Sequence, residues 1–145
     1  MKAINTFSLK IPSRSTNEGF ARVAVASFAA QLDPTVEEIS DIKTAVSEAV
    51  TNCIVHAYAN TIGDIYINCA ILPEKRLRIK IRDKGCGIED IKQAMEPLFT
   101  TAGGERAGHG YAEMESLTDN LYLRSTLGKG TPVIMEKKIS VRENV

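Results

Sequence analysis

Glu48, Asn52 and His56 stand four residues apart, and on a helix that spacing stacks them along one side. A carboxylate and an amide one turn apart suit a magnesium ion that also holds nucleotide phosphates, because water and phosphate oxygens supply most of its ligands. The same three residues equally suit the solvated stripe of an amphipathic helix. Three glycine-containing turns follow. In Asp83-Lys84-Gly85-Cys86-Gly87, Gly85 and Gly87 would let a flat base approach the backbone while a buried Asp83 accepts from the amino group of adenine. Asp and Gly are also what a plain surface turn uses. Arg106-Ala107-Gly108-His109-Gly110-Tyr111 sits where a long loop enters a helix. Free backbone N–H groups and the positive helix end there suit phosphate oxygens, and Arg106 would add a fixed charge. The alternative is a flexible loop ending in a helix cap, with Arg106 solvated. Gly128-Lys129-Gly130-Thr131 is most simply a hairpin turn, or it places the Thr131 hydroxyl near the base.

The elements that must position these residues are legible in the patterning. Phe7, Leu9 and Ile11 alternate with polar residues and meet Pro12, which reads as a strand over 4–11. Ser15 to Glu18 has capping-box spacing, so 15–32 reads as a helix. Asp33 is placed to cap the next helix, with Pro34 at its first position and Glu37 and Glu38 in its first turn. Ile39, Ile42, Val46, Val50 and Ile54 recur at helical spacing and carry that helix to about residue 58. Two alternating runs, Ile65-Cys69 and Leu77-Arg82, read as antiparallel strands joined near Pro73-Glu74-Lys75. A short helix over 88–95, a long loop from Pro97 to Gly108, a helix over 109–118 and strands at 120–126 and 131–139 complete the order. The fold class expected is α/β: a two-layer sandwich with helices on one face of a mostly antiparallel mixed sheet.

Bulk properties narrow the function. The chain has 145 residues, which favours a single domain over 1–145. Eighteen basic and eighteen acidic side chains cancel, so no bulk charge argues for direct nucleic-acid or membrane binding. Three scattered cysteines and two histidines argue against a disulfide framework or a structural zinc site and fit a reducing cytoplasm. The N-terminal residues lack the apolar core of a signal peptide. No GxxxxGK[ST] occurs, which disfavours a P-loop.

Taken in order, the motifs ExxxN, DxGxG, GxG and GxGT resemble the Bergerat (GHKL) ATP-binding fold of sensor histidine kinases, type II topoisomerases and mismatch-repair ATPases. The segments Glu18-Gly19-Phe20-Ala21-Arg22, Ala30-Gln31-Leu32-Asp33-Pro34-Thr35, Ser47-Glu48-Ala49-Val50-Thr51-Asn52 and Pro97-Leu98-Phe99-Thr100-Thr101 carry the likeness further. Over roughly residues 5–138 the chain is similar to the bacterial anti-sigma F factor family. That resemblance implies a homodimeric serine protein kinase that uses ATP and Mg2+. Such a protein holds a sporulation sigma factor inactive and phosphorylates a serine of its anti-anti-sigma antagonist. By position, Asn52 would ligate magnesium and Glu48 would be general base or orienting carboxylate. Asp83 would read adenine, with Gly85 and Gly87 beside it and Thr131 helping. Gly108 and Gly110 would admit the phosphates, Arg106 would contact the γ-phosphate, and Glu18 and Arg22 would face partners.

His109 departs from the apolar residue more usual in that slot, Tyr111 from a common Phe, and Ala102-Gly103-Gly104 makes a small lid. A second reading keeps the nucleotide site but makes the protein a nucleotide-dependent partner-binding switch without transfer. A third gives the same chemistry to a stress regulon.

Overall fold

The computed structural model describes residues 2–58, 61–84, 120–123 and 132–141. Strand β1 (Asn5–Pro12) leads into helix α1 (Asn17–Ala29), a single 3₁₀ turn (Ala30–Leu32) and helix α2 (Val36–Asn52). Helix α2 runs on as a π-helical turn over Cys53–Ala57. Strands β2 (Asp64–Leu72), β3 (Arg76–Arg82), β4 (Asn120–Leu123) and β5 (Val133–Lys138) follow.

The described strands form one sheet in the order β1-β2-β3-β5-β4, with each neighbouring pair antiparallel. Period-two patterning fixes the register. Leu9 faces Ile67, Ile67 faces Ile81, and Ile81 faces Val133, so one row of apolar side chains crosses four strands. A slip of one residue would turn Arg78, Lys80 and Arg82 inward. In the observed register these charges stay on the far side, where Arg78 pairs with Glu136 at 3.2 Å and the Arg82 guanidinium lies 4.6 Å from the Tyr66 ring centroid. The turn from β2 to β3 is at Pro73–Lys75, as expected, with Glu74 and Lys75 both at positive φ.

Both helices cover the apolar face, completing the two-layer α/β sandwich. Ala21, Val25 and Ala29 are buried at four-residue spacing on α1, and their small size brings the helix close to its neighbours. From α2, Ile42, Val46 and Val50 are buried in the same core as Ile65, Ile67, Leu77, Ile79 and Met135. Phe7 and Leu9 pack against that core. The Phe7 ring meets Phe28 of α1 at 4.8 Å between centroids, so this face of β1 is committed inside the protomer.

The helix starts differ from the expected caps. The capping box over Ser15 to Glu18 does not form: Thr16 is the N-cap, is itself helical in φ and ψ, and makes no side-chain cap bond. Asn17 Nδ2 turns back to donate to the Pro12 carbonyl at 3.0 Å. At α2 the cap is Thr35, two residues beyond Asp33. Asp33 has φ 52° and closes the 3₁₀ turn. Thr35 and Glu38 exchange the two bonds of a capping box, Glu38 N–H to Thr35 Oγ1 at 3.1 Å and Thr35 N–H to Glu38 Oε1 at 2.9 Å. Satisfying two helix-end groups reciprocally favours this start over a lone Asp33 cap.

Glu38 also accepts from Ser140 N–H at 2.9 Å and Ser140 Oγ at 3.1 Å, fastening the segment after β5 to the start of α2. Burial works against its charge, but the bonds from Thr35 and Ser140 outweigh it and hold its pKa below the ordinary 4.5. Thr35→Ala is expected to cost about 1 kcal/mol in urea unfolding. Because the folded value is depressed, Glu38 stabilises the fold above its ordinary value, and that contribution is lost as pH falls through the lower folded value. The stability gap between wild type and Glu38→Gln should therefore narrow as pH drops below 4.5.

Candidate functional site

Asn52 ends α2 and is only 5% exposed. Its Nδ2 has no hydrogen-bond partner among the described residues. Leaving a buried amide unmet costs about 1–3 kcal/mol, so this position is not explained by stability. A half-turn of the amide exchanges its oxygen and nitrogen, so the unmet edge can present an oxygen to a cation. Glu48, one turn earlier, is half-buried. The two are therefore not members of a solvated stripe: the helix side that carries them faces into the molecule.

Beyond Asn52 the helix widens. Tyr58 N–H donates to the Cys53 carbonyl at 3.1 Å, a five-residue span that makes the turn π-helical, a deformation common at functional sites. The backbone of His56 lies within this turn. Widening brings Tyr58 across the ends of β2 and β3. Its hydroxyl donates to the Asp64 carbonyl at 2.8 Å and accepts from Lys84 N–H at 2.7 Å. Gly63 lies against the Tyr58 ring so closely that a Cβ there would overlap it. Gly63 is itself held by Ser13, through Gly63 N–H to Ser13 Oγ at 3.0 Å and Ser13 N–H to the Gly63 carbonyl at 2.8 Å. Gly63→Ala should displace the Tyr58 ring and destabilise the fold by about 1–3 kcal/mol, read as a lower urea midpoint.

This clamp fixes the peptide that follows Asp83, which is 4% exposed. The Cys53 thiol donates to the Asp83 carboxylate, and burial, then the neighbouring charge and that hydrogen bond, push the thiol far above its ordinary value. Cys53 is therefore a neutral donor. Cys69, buried in the core, is pushed up to about 12 by burial.

The end of α2 and the end of β3 thus meet, and Asn52 and Asp83 enter one locality through the Cys53 bridge. Cys53 falls on the apolar arc of α2, seven residues after Val46, so its spacing reads as core. Tyr58 carries a recognisable signal in retrospect: an aromatic with a polar tip just before a turn. The expected Gly85, Gly87, Arg106, Gly108, His109, Gly110 and Thr131, with the helices over 88–95 and 109–118, lie outside the described residues.

A second feature lies on α1. Glu18 and Arg22 are one turn apart at 3.8 Å and edge a cleft of about 450 Å³ completed by Val23, Ser40, Lys43, Thr44 and Ser47. Ser47 is 8% exposed and its Oγ has no partner among the described residues. Phe20 and Val23 stand 53% and 57% exposed on the same helix.

Residues 11–137 match the family described as a histidine kinase-like ATPase domain. An anti-sigma F factor of Caldanaerobacter subterraneus subsp. tengcongensis is 58% identical over 140 residues, covering 96% of this chain and 97% of the relative. The chain belongs to the anti-sigma F factor family. Another member, from Clostridium acetobutylicum, is 52% identical over 141 residues, covering 97% and 98% of the two chains.

Solved structures agree on the fold. The RsbU and RsbW domains of Rv1364c from Mycobacterium tuberculosis superpose with a TM-score of 0.67 at 18% identity, covering 93% of this chain and 32% of that one. The histidine kinase domain of the blue-light activated kinase EL346 from Erythrobacter litoralis gives 0.57 at 20% identity, covering 84% and 61%. As an anti-sigma F family member the chain carries an ATP-binding type of domain, and the α2–β3 junction lies within the matched region.

Among the described residues no group of three His, Cys, Asp or Glu side chains could hold a metal ion by itself. A magnesium ion bound mostly by phosphate and water fits this donor set, because it needs one or two protein ligands. Among the described residues no helix is long and apolar enough to cross a membrane.

Proposed function

We propose that this protein binds Mg-ATP and holds a sporulation sigma factor of the sigma F type inactive. It also phosphorylates a serine of the anti-anti-sigma antagonist that would release that sigma factor. The observation that carries the reading is the buried Asn52 amide, whose Nδ2 has no partner among the described residues, at the end of the helix that bears Glu48, in a chain similar to anti-sigma F factors over nearly its whole length. In this reading residues 1–145 form one cytoplasmic domain that touches neither nucleic acid nor membrane directly.

The roles follow from chemistry. Asn52 holds the magnesium ion through its amide oxygen. When bound, the magnesium nucleotide supplies the γ-phosphoryl group and screens its charge. Asp83 accepts from the adenine amino group, Gly85 and Gly87 allow the base to approach, and Thr131 adds a hydroxyl. Gly108 and Gly110 leave room for phosphate oxygens at backbone N–H groups, and Arg106 meets the charge on the γ-phosphate. Glu48 orients the acceptor serine and takes its proton as the serine oxygen bonds to phosphorus and the bond to the leaving ADP oxygen breaks. Most of the acceleration in such a transfer comes from positioning and charge stabilisation.

Partner contact is assigned to the outer face of α1, where Glu18 and Arg22 edge the cleft and Phe20 and Val23 are exposed. Homodimerisation is assigned to the edge of β1 that pairs with no other described strand, because the inward face of that strand is already packed on α1 and the core.

Incubation with γ-labelled ATP and the anti-anti-sigma protein of the same organism tests the reading. Label on a serine of that protein is expected. ATP binding with no transfer would contradict the kinase and favour a binding switch.

A further inference from the structure

We infer that the outer face of the sheet, the side away from the helices, is a second interaction surface that takes an extended acidic segment of a protein partner. The inference stands on the register and charge of the sheet and goes beyond the nucleotide reading.

Equal numbers of basic and acidic side chains conceal a local excess. Strand alternation puts Arg76, Arg78, Lys80 and Arg82 of β3 on this face, successive ones about 6.8 Å apart along the strand. Lys10 stands opposite Tyr66 in the β1–β2 pairing, and Tyr66 stands opposite Arg82 in the next. The Arg82 guanidinium and the Lys84 ammonium both lie over the Tyr66 ring, 4.6 and 5.1 Å from its centroid. Among the described residues, the acids on this side are Glu136, held by Arg78 at 3.2 Å, and Asp64 at the start of β2. Lys10, Arg76, Lys80, Arg82 and Lys84 form no ion pair among the described residues.

Solubility is served by interleaving both signs on a surface. A run of one sign along β3 repels itself, and an opposite charge laid over it relieves that repulsion. The chemistry of the face selects the occupant. An extended segment turns every second side chain to one side, at the same spacing as β3, so carboxylates at alternate positions meet the β3 cations in step. The Arg78–Glu136 pair is the same contact made within the chain. Single-stranded nucleic acid is held by stacking bases on aromatic rings, and the Tyr66 ring is already taken by Arg82 and Lys84. A second copy of the chain, packed face to face, would set cation against cation.

Fluorescence anisotropy tests this on the full chain, with a labelled peptide alternating glutamate and serine over the length of β3. The peptide should bind at low salt and be released as salt rises. Lys10→Glu together with Lys80→Glu should weaken binding by at least roughly tenfold, and Lys10→Arg together with Lys80→Arg should stay within about twofold of wild type. The thermal midpoint of each variant reports its fold. Should the double reversal fail to fold, Lys80→Gln decides: it keeps the length of the side chain and should weaken binding by about twofold to fivefold. A peptide of the same composition with its glutamates in one block should bind more weakly than the alternating one. No binding to wild type at low salt overturns the inference, as does an affinity that none of the charge changes alters. Equal affinity for the two peptides, or tighter binding of a single-stranded oligonucleotide of equal charge, overturns it as well. None of these outcomes bears on the titration of ATP.

Discussion

Glu48→Gln is expected to lower serine phosphorylation by about 10²–10⁴-fold while leaving ATP affinity within about twofold of wild type. The substitution keeps the shape and the hydrogen-bonding reach of the side chain and removes only its capacity to take a proton. Glu48 is half-buried one turn before Asn52, so the change is not read through unfolding. Binding and transfer separate because the nucleotide is assigned to Asn52, Asp83 and the glycine turns, whereas Glu48 meets the acceptor hydroxyl. Single-turnover transfer to the anti-anti-sigma protein, alongside a titration of ATP, checks both halves. Transfer at the wild-type rate would remove Glu48 from the chemistry, and a matching loss of ATP affinity would make it a binding residue.

Asp83→Asn should cut ATP affinity by roughly 10- to 100-fold, the range for losing a charged partner in a buried hydrogen bond, and should narrow the preference for ATP over GTP. An amide is neutral and can turn its NH2 toward a 6-oxo group, so GTP gains as ATP loses. The near-isosteric side chain preserves packing around the Tyr58 clamp, and its oxygen can still accept from Cys53. Competition of the two nucleotides for the same site reads the effect directly. An unchanged ratio would remove Asp83 from base recognition.

The strands were legible because period-two patterning is strict: Ile65, Ile67 and Cys69 leave no second register that buries as much apolar surface. The apolar arc of α2 was legible for the same kind of reason, since Ile42, Val46 and Val50 share one helical face. Caps were less legible, because several short polar residues precede each helix. Asp33 and Thr35 are both good cap residues, and the choice between them was made by Glu38, which reaches Thr35 and also Ser140, more than a hundred residues along the chain. No local signal contains that second contact.

The site divides in the same way. Order along the chain brought Glu48, Asn52 and Asp83 into one reading, but helical spacing left Glu48 and Asn52 open to being a solvated stripe. Burial decides against that, and it depends on how α2 sits over the sheet. The π-helical widening after Asn52 was not legible, because Cys53 to Ala57 fits an ordinary helix by pattern. Its consequence, a thiol at Asp83 and a phenol at the next residue, Lys84, joins parts of the chain far apart in sequence.

The most direct measurement is ATP titration with and without magnesium, on wild type and on Asn52→Ala. The Asn52 amide lacks a partner for Nδ2 among the described residues, so removing it costs the fold little and the variant should keep the wild-type thermal midpoint. Magnesium is expected to tighten ATP binding to the wild type by at least roughly tenfold, about 1.4 kcal/mol, and to have almost no effect on Asn52→Ala. An equal response to magnesium in both proteins would contradict the assignment of Asn52, and with it the reading of this helix end as a Mg-ATP site.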